Sequence, residues 1–294
     1  MPWMLERSHK SGPQQLKDLL TKPGIIKIPG AHNALAGRIA KNVGFNSLYI
    51  SGAAFSAAQC LPDLGYFTVD ELATYVRQLF RVTELPIIVD IDTGFGEVLH
   101  LLRTVIEMEE AGAAAVQMED QKLPKKCGHV EGKELISSDD MCRKIEAIKR
   151  TRKDLMIVAR TDAHAIYGQE EAISRAKKYV DAGADIIFPE ALKTEQEFRQ
   201  FATEVKIPLL ANMTEFGKTP YISAKTFEEW GYKIVIYPVT SLRMAMKAVE
   251  KVYKEILETG SQESLIGEMQ TRKELYEQLD YYGYTDFDKE IGEL

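Results

Sequence analysis

Short apolar runs rich in β-branched residues recur along the chain, and between them apolar positions fall three and four apart. The runs are Ile25–Ile28, Ser47–Ile50, Ile87–Ile91, Ala114–Met118, Leu155–Ala159, Ile186–Phe188, Pro208–Ala211 and Lys233–Tyr237. Their unbroken apolar character predicts strands buried on both faces. The stretches between them, including Val98–Ala111, Met141–Arg150 and Glu170–Ala182, predict amphipathic helices. Eight strands alternating with helices imply parallel pairing, because each crossover must return the chain to the same end of the sheet.

Two segments, EAGAAAVQMED and DAGADIIFPE, share one plan: a helix end, a glycine, a short strand and then an acid. NVGFNSLYISG is similar. Gly44, Gly112 and Gly183 stand where a helix C-cap wants a left-handed residue. The repeat predicts βα units of one α/β fold, a closed (β/α)₈ barrel of the TIM type. The competing architecture, a doubly wound open sheet, would carry GxGxxG after a strand, and no such motif occurs.

Residues 10–20 read as an extra helix leading into the barrel. Beyond the eighth strand, Leu242, Ala245, Met246, Val249, Val252, Tyr253 and Ile256 form one face of a helix over Ser241–Leu257. The expectation is one barrel domain over 1–294, with 269–294 a tail packing beyond it. A helix outside a closed barrel must bury its face somewhere, and a neighbouring subunit is the expected partner.

Composition narrows the function. With 45% hydrophobic residues over 294 positions, the chain can fill a barrel core. A net charge of −7, with both signs interspersed, argues against a nucleic-acid surface or a polybasic membrane patch. The three cysteines, Cys60, Cys127 and Cys142, form no CxxC pair, so neither a disulfide framework nor a structural zinc site is expected. No stretch is apolar enough to span a bilayer, and the N-terminus lacks the apolar core of a signal peptide. A cytoplasmic protein is expected.

Barrel chemistry sits at the C-terminal ends of the strands. Those ends carry Ser51-Gly52-Ala53, Asp90 and Asp92, Glu119-Asp120, Arg160-Thr161-Asp162, Glu190 and Asn212-Met213-Thr214, with Arg243 following the last strand. Asp90 and Asp92, two apart on a strand, point the same way. With Glu119 they suit a hard divalent cation; otherwise one caps a helix and the other pairs with an arginine. Arg160 emerges from a buried strand, which is costly unless it meets an anion: Glu190 or Asp162, or a substrate carboxylate. Cys127 lies in a long loop, Gln121–Lys133, beside Lys125, Lys126 and His129. Neighbouring cations should lower its pKa, and the loop's length suits a lid. Cys60 and Cys142 read as inert buried residues.

MEDQ…KKCGH closely resembles the signature of the isocitrate lyase and phosphoenolpyruvate mutase superfamily, and the whole chain is similar to its short methylisocitrate lyases. SGAAFSAAQCLPDLG, VDIDTGFG, ARTDA, FPEA, ANMTEFG, YPVTSLRMAM and MQTRKELYE carry the likeness from end to end. The resemblance implies cleavage of 2-methylisocitrate to pyruvate and succinate in propionate catabolism, with Mg²⁺, or Mn²⁺ in its place, held by Asp90 and Asp92 near Asp63 and Glu119. It implies Cys127 as the acid, helped by His129 and Lys125, with Tyr49 or a metal-bound hydroxide as the base. Ser51, Gly52, Ala53, Gly128, Arg160, Glu190, Asn212, Met213, Thr214, Arg243 and Arg272 would bind the tricarboxylate. The family usually reads SGG where this chain has Ser51-Gly52-Ala53, so an added methyl narrows that end. A homotetramer with exchanged C-terminal helices is also implied. The competing readings are isocitrate cleavage to glyoxylate, oxaloacetate hydrolysis, and a non-catalytic carboxylate-binding protein.

Overall fold

The sequence pattern becomes eight parallel strands in the computed structural model: β1 (Ile26–Pro29), β2 (Leu48–Ile50), β3 (Ile87–Asp90), β4 (Ala115–Glu119), β5 (Met156–Thr161), β6 (Ile186–Pro189), β7 (Leu210–Asn212) and β8 (Ile234–Tyr237). The structure describes residues 2, 5 and 10–293, so most of the polar N-terminal stretch lies outside the described residues. Strands β2 to β6 form one continuous ladder and β1, β8 and β7 another. Single parallel bridges, Gly30 with Tyr49 and Ile187 with Leu209, join the two ladders and close the barrel. The doubly wound alternative is thereby excluded.

The helices are α1 (Gly12–Thr21), α2 (Ala34–Val43), α3 (Gly52–Ala58), α4 (Val69–Thr83), α5 (Val98–Ala111), α6 (Ser138–Thr151), α7 (His164–Tyr167), α8 (Gln169–Ala182), α9 (Glu195–Glu204), α10 (Ala224–Glu229), α11 (Thr240–Thr259), α12 (Arg272–Leu279) and α13 (Tyr281–Gly292). Gly44, Gly112 and Gly183 end α2, α5 and α8 with φ of 108°, 96° and 119°. These are the left-handed caps that the repeated glycines predict.

Side-chain alternation divides the apolar residues into two cores. Outward-facing residues such as Val89, Val116, Ile157 and Ile187 pack under the helices. Inward-facing ones, including Ile28, Ile88, Val158, Ile186 and Ile234, fill the barrel. Leu16 of α1 is fully buried within that inner cluster, so the lead-in helix plugs the barrel. Moving along the strands, the inward positions turn polar: Ile88 gives way to Asp90, Ala115 to Gln117 and Glu119, Val158 to Arg160, and Leu210 to Asn212. The apolar half supplies stability, and the polar half forms a charged mouth.

On α11 only Leu242 is buried, while Met244, Tyr253 and Leu257 are exposed. Helix α12 returns to α2, where Asn42 Nδ2 donates to Gln278 Oε1 at 2.6 Å. Among the described residues, no helix is long and apolar enough to cross a membrane. One expectation fails here: Cys60 is exposed and has a left-handed φ of 58°, and Cys142 is half-buried. Cys60 lies in the loop after α3, outside any periodic element, and Cys142 on α6 packs against the core with one side only.

Truncating the barrel plug, Leu16→Ala, should cost about 2–5 kcal/mol, because a methyl cannot refill a site closed in by strands. Urea unfolding monitored by circular dichroism measures this, with the m-value expected to be unchanged.

Candidate active site

Three carboxylates converge at the mouth. Asp90, Asp92 and Glu119 are buried, with one oxygen of each lying within 4.8 Å of the others. Strand alternation does not bring the two aspartates together as expected. Strand β3 ends at Asp90, and Asp92 reaches the cluster from a turn in which its own φ is +49°. Asp90 is firmly oriented: Gly52 N donates to Oδ2 at 3.1 Å, and Asp92 N and Gln117 Nε2 each donate to Oδ1 at 3.1 Å. Gly52 therefore spends its N–H on Asp90, and an added Cβ there would come 3.0 Å from Asp92 Oδ1.

The oxygens of Asp92 and Glu119 accept no aligned hydrogen bond among the described residues. Lys125 Nζ stands 2.8 Å from Asp92 and also pairs with Asp63, and Arg160 Nη1 stands 3.1 Å from Glu119. Burial pushes the Asp92 carboxyl up to about 7 against the pull of Lys125, and it pushes Glu119 and Asp90 upward too. Six carboxylates (Asp63, Asp90, Asp92, Glu119, Asp162 and Glu190) here face three permanent cations, Lys125, Lys133 and Arg160. Buried carboxylate oxygens without hydrogen bonds, in an all-oxygen set short of positive charge, fit a hard divalent cation.

Across the mouth, Arg160 Nε and Nη2 donate to Asp162 at 2.9 and 3.2 Å. Burial would raise Asp162, but Arg160 and Lys133 outweigh it and hold the group at about 2. The guanidinium is thus already committed to carboxylates, as the simpler reading of its position expects. Asp162 is itself placed by Asp120, whose Oδ1 accepts from Asp162 N at 3.0 Å. Asp120 in turn accepts from Thr161 Oγ1, Tyr179 Oη and Arg175 Nη1.

Residues 121–135 fold over the mouth as an internally bonded lid. Gln121 and Leu135 form an antiparallel bridge. Gln121 clasps Lys126 through N–H···O contacts of 2.8 and 2.9 Å. Gly128 sits so low that an added Cβ would meet Arg160 Nη2 and Glu190 Cγ at 2.5 Å. Lys218 N donates to His129 Nδ1 at 2.9 Å, so a neutral imidazole carries its proton on Nε2, 2.8 Å from Glu190 Oε1. Gly217 lies against the ring and leaves no room for a Cβ. Burial would raise Glu190, but Arg160 and His129 together hold it low.

The cavity under the lid brings together most of the predicted residues. Tyr49, Ser51, Ala53 and Asp90 form one side, Cys127, Gly128 and His129 the roof, and Arg160, Glu190, Asn212, Thr214 and Arg243 the other side. Asn212 Nδ2 reaches Glu190 Oε2 at 3.4 Å. Arg243 stands at the rim, over the Phe216 ring and 3.7 Å from Glu215 Oε2.

Four expectations change. Cys127 does not have a lowered pKa: burial pushes its thiol up, because Lys125 and Lys126 are turned to Asp63, Asp92 and the Gly132 carbonyl. Tyr49 is a poor base, since burial and then Asp90 push its phenol well up while its hydroxyl donates to Gln117 Oε1. Met213 points away from the cavity: strand alternation sends Asn212 inward and Met213 into the core beneath the helices. Arg272 opens α12, is exposed, and does not line this cavity. Sequence reasoning missed two contributors. Gln117 was accessible, two residues before Glu119 on the inward face of β4; Lys133 carries no periodic signal.

With this geometry in view, the chain's relatives are informative. Residues 16–257 match the phosphoenolpyruvate phosphomutase family. The chain is 52% identical to 2-methylisocitrate lyase of Bacillus subtilis (strain 168), covering 99% of this chain and 98% of that protein. Its fold is similar to the crystal structure of 2,3-dimethylmalate lyase, described as a member of the PEP mutase/isocitrate lyase superfamily, with a TM-score of 0.90, 31% identity and 97% of both chains covered. It is also similar to phosphonopyruvate hydrolase in complex with oxalate and Mg²⁺, with a TM-score of 0.86, 28% identity, and 95% of this chain and 99% of that one covered. In sequence and in fold, this chain belongs to the phosphoenolpyruvate phosphomutase/isocitrate lyase family.

Proposed function

We propose that this protein is a Mg²⁺-dependent carbon–carbon lyase that cleaves 2-methylisocitrate into pyruvate and succinate. The observation that carries the reading is the Cys127 thiol, kept protonated by burial in a lid closed over a carboxylate cluster and an arginine. The full-length likeness to 2-methylisocitrate lyases supplies the substrate.

In the cleavage, the substrate hydroxyl gives its proton to solvent at the mouth, since Tyr49 is held as a donor to Gln117. The freed oxygen pair forms the pyruvate carbonyl as the bond to the neighbouring carbon breaks, and the electron pair of that bond stays on the succinate carbon. Asp90, Asp92 and Glu119 are the residues that would hold the cation, Mg²⁺ or Mn²⁺ in its place, which supplies positive charge to the substrate's oxygens. Asp90 is braced for that task by Gly52 and Gln117. Lys125 neutralises the surplus of its acidic neighbours, and Tyr49 holds Gln117 as a hydrogen-bond donor. Cys127 then donates the S–H proton to the carbanionic carbon as general acid. A raised pKa suits this role, because the thiol arrives still carrying its proton. Ser51, Asn212, Thr214 and Arg243 remain to bind carboxylates, and His129 and Glu190 fix the roof.

Ala53, Phe188, Ile236, Pro238 and Val239 give the cavity an apolar side able to take the substrate methyl. One methyl is worth about 1–3 kcal/mol of discrimination, which favours this substrate over isocitrate. For the exposed face of α11 and the tail, including Arg272, we propose packing between copies of this chain, with exchanged C-terminal helices in a tetramer.

Oxoacid release from the purified protein with Mg²⁺ tests the substrate. Pyruvate from 2-methylisocitrate should form with a kcat/KM at least about tenfold above glyoxylate from isocitrate; the reverse order would reassign the substrate. Cys127→Ser should bind Mg²⁺ and melt normally while losing about 10²–10⁴-fold in kcat. Wild-type turnover in that variant would remove the acid role.

The acid cluster also predicts a pH effect. A carboxyl raised to about 7 when folded binds its proton more tightly than in the unfolded chain. Metal-free protein should therefore have a higher Tm at pH 6 than at pH 8. Mg²⁺, which needs the deprotonated form, should raise Tm more at pH 8 than at pH 6. Calorimetric scans with EDTA and with Mg²⁺ check both signs.

A further inference from the structure

Lys133 closes the lid segment, and its side chain is only 1% exposed. Burying an ammonium is costly, so its partners indicate what its position serves. There are two: Nζ lies 2.7 Å from Asp162 Oδ1, and it also donates to the carbonyl of Gly128, the residue beside Cys127. The first contact adds to the charge that Arg160, which donates to both oxygens of Asp162, already supplies. The second contact reaches the Gly128 carbonyl, which the lid's other cross-links, such as Gln121 with Leu135 and Lys126 Nζ with the Gly132 carbonyl, do not touch. It joins the outgoing and returning limbs of the lid and ties them to the end of β5.

The geometry around Gly128 leaves little slack. A Cβ there would come within 2.5 Å of Arg160 Nη2 and Glu190 Cγ, so the peptide rests directly on those side chains. One residue on, His129 is held between Lys218 N and Glu190. The Cys127 carbonyl accepts from Val130 N at 3.0 Å and the His129 backbone N–H faces its sulfur, so the neighbours hold the peptide and the peptide aims the thiol. We propose that Lys133 is a positioning residue, which by binding the Gly128 carbonyl to Asp162 keeps the lid seated and the Cys127 thiol directed into the cavity. Its effect on turnover rests on the lyase reading above, whereas its effect on the lid does not.

The test separates these two levels. Iodoacetamide alkylation is followed by peptide mass spectrometry on Mg²⁺-loaded wild type, Lys133→Met and Lys133→Arg, with no substrate present. Met keeps the length and bulk of the side chain but removes charge and donors. Cys142, half-buried on α6 against the core and the Lys178 carbonyl, reports general loosening. In Lys133→Met the Cys127 rate should rise at least about tenfold, with Cys142 unchanged, and Lys133→Arg should restore most of the protection. In turnover, Lys133→Met should lose about a hundredfold in kcat with KM little changed, the cost of about 1 Å of misplacement. An unchanged Cys127 rate would overturn the proposal. Acceleration at Cys142 as well would assign Lys133 to general stability and overturn it too. If wild type releases no pyruvate, the lyase reading fails, while the alkylation rates still decide the role of Lys133.

Discussion

The structure depends on an excess of carboxylate held out of water at one end of a closed barrel. Each strand that turns polar at its C-terminal end delivers an acid, an amide or, from β5, the Arg160 guanidinium to the same small volume. Burial favours the protonated form of a carboxylate, and at Asp92 it outweighs even the pull of Lys125. Keeping several of them charged requires cations at fixed positions. Lys125 serves Asp63 and Asp92, Arg160 spans Glu119 and Asp162, and Lys133 adds a third charge from above. The remaining deficit is what makes a divalent cation the natural complement of this mouth.

The same constraint explains the state of Cys127. From the run of neighbouring lysines, its thiol would be expected to ionise readily. In the fold those lysines point at carboxylates and a carbonyl, and the desolvation of the thiol outweighs what is left of their field. A basic loop has therefore produced a protonated sulfur rather than a thiolate. For delivering a proton to carbon this is the useful form, and a thiolate nucleophile would need the opposite arrangement. A pKa argument from adjacent residues holds only while their side chains are free, and here the acid cluster has claimed them.

The lid and the barrel are coupled through contacts that alternate between charge and close packing. Glycines at positions 128 and 217 let backbone lie against Arg160, Glu190 and the His129 ring, and no other residue fits there without displacement. Behind the mouth, Asp120 gathers Thr161, Arg175 and Tyr179 and so sets the peptide that carries Asp162. The site is built from side chains that hold one another, which is why few of its polar atoms are left to solvent.

The linear sequence determined the eight strands, the helices between them, the glycine caps and the barrel, because burial imposes periods of 2 and 3.6 that a one-dimensional pattern records. It also determined which strand ends carry chemistry: Asp90, Glu119, Arg160, Glu190 and Asn212 follow from inward alternation, and the lid follows from its length. Tertiary structure decided the rest. Asp92 joins the cluster through a left-handed turn, Met213 faces away from the cavity, Arg272 stands clear of it in this chain, and Cys60 is exposed. Lys133 gains its partners, and Cys127 its proton, only when residues distant in the chain close over one volume. Periodicity reports which face a residue occupies, whereas charge state and pairing depend on distances of a few ångströms between elements, and no local pattern encodes those.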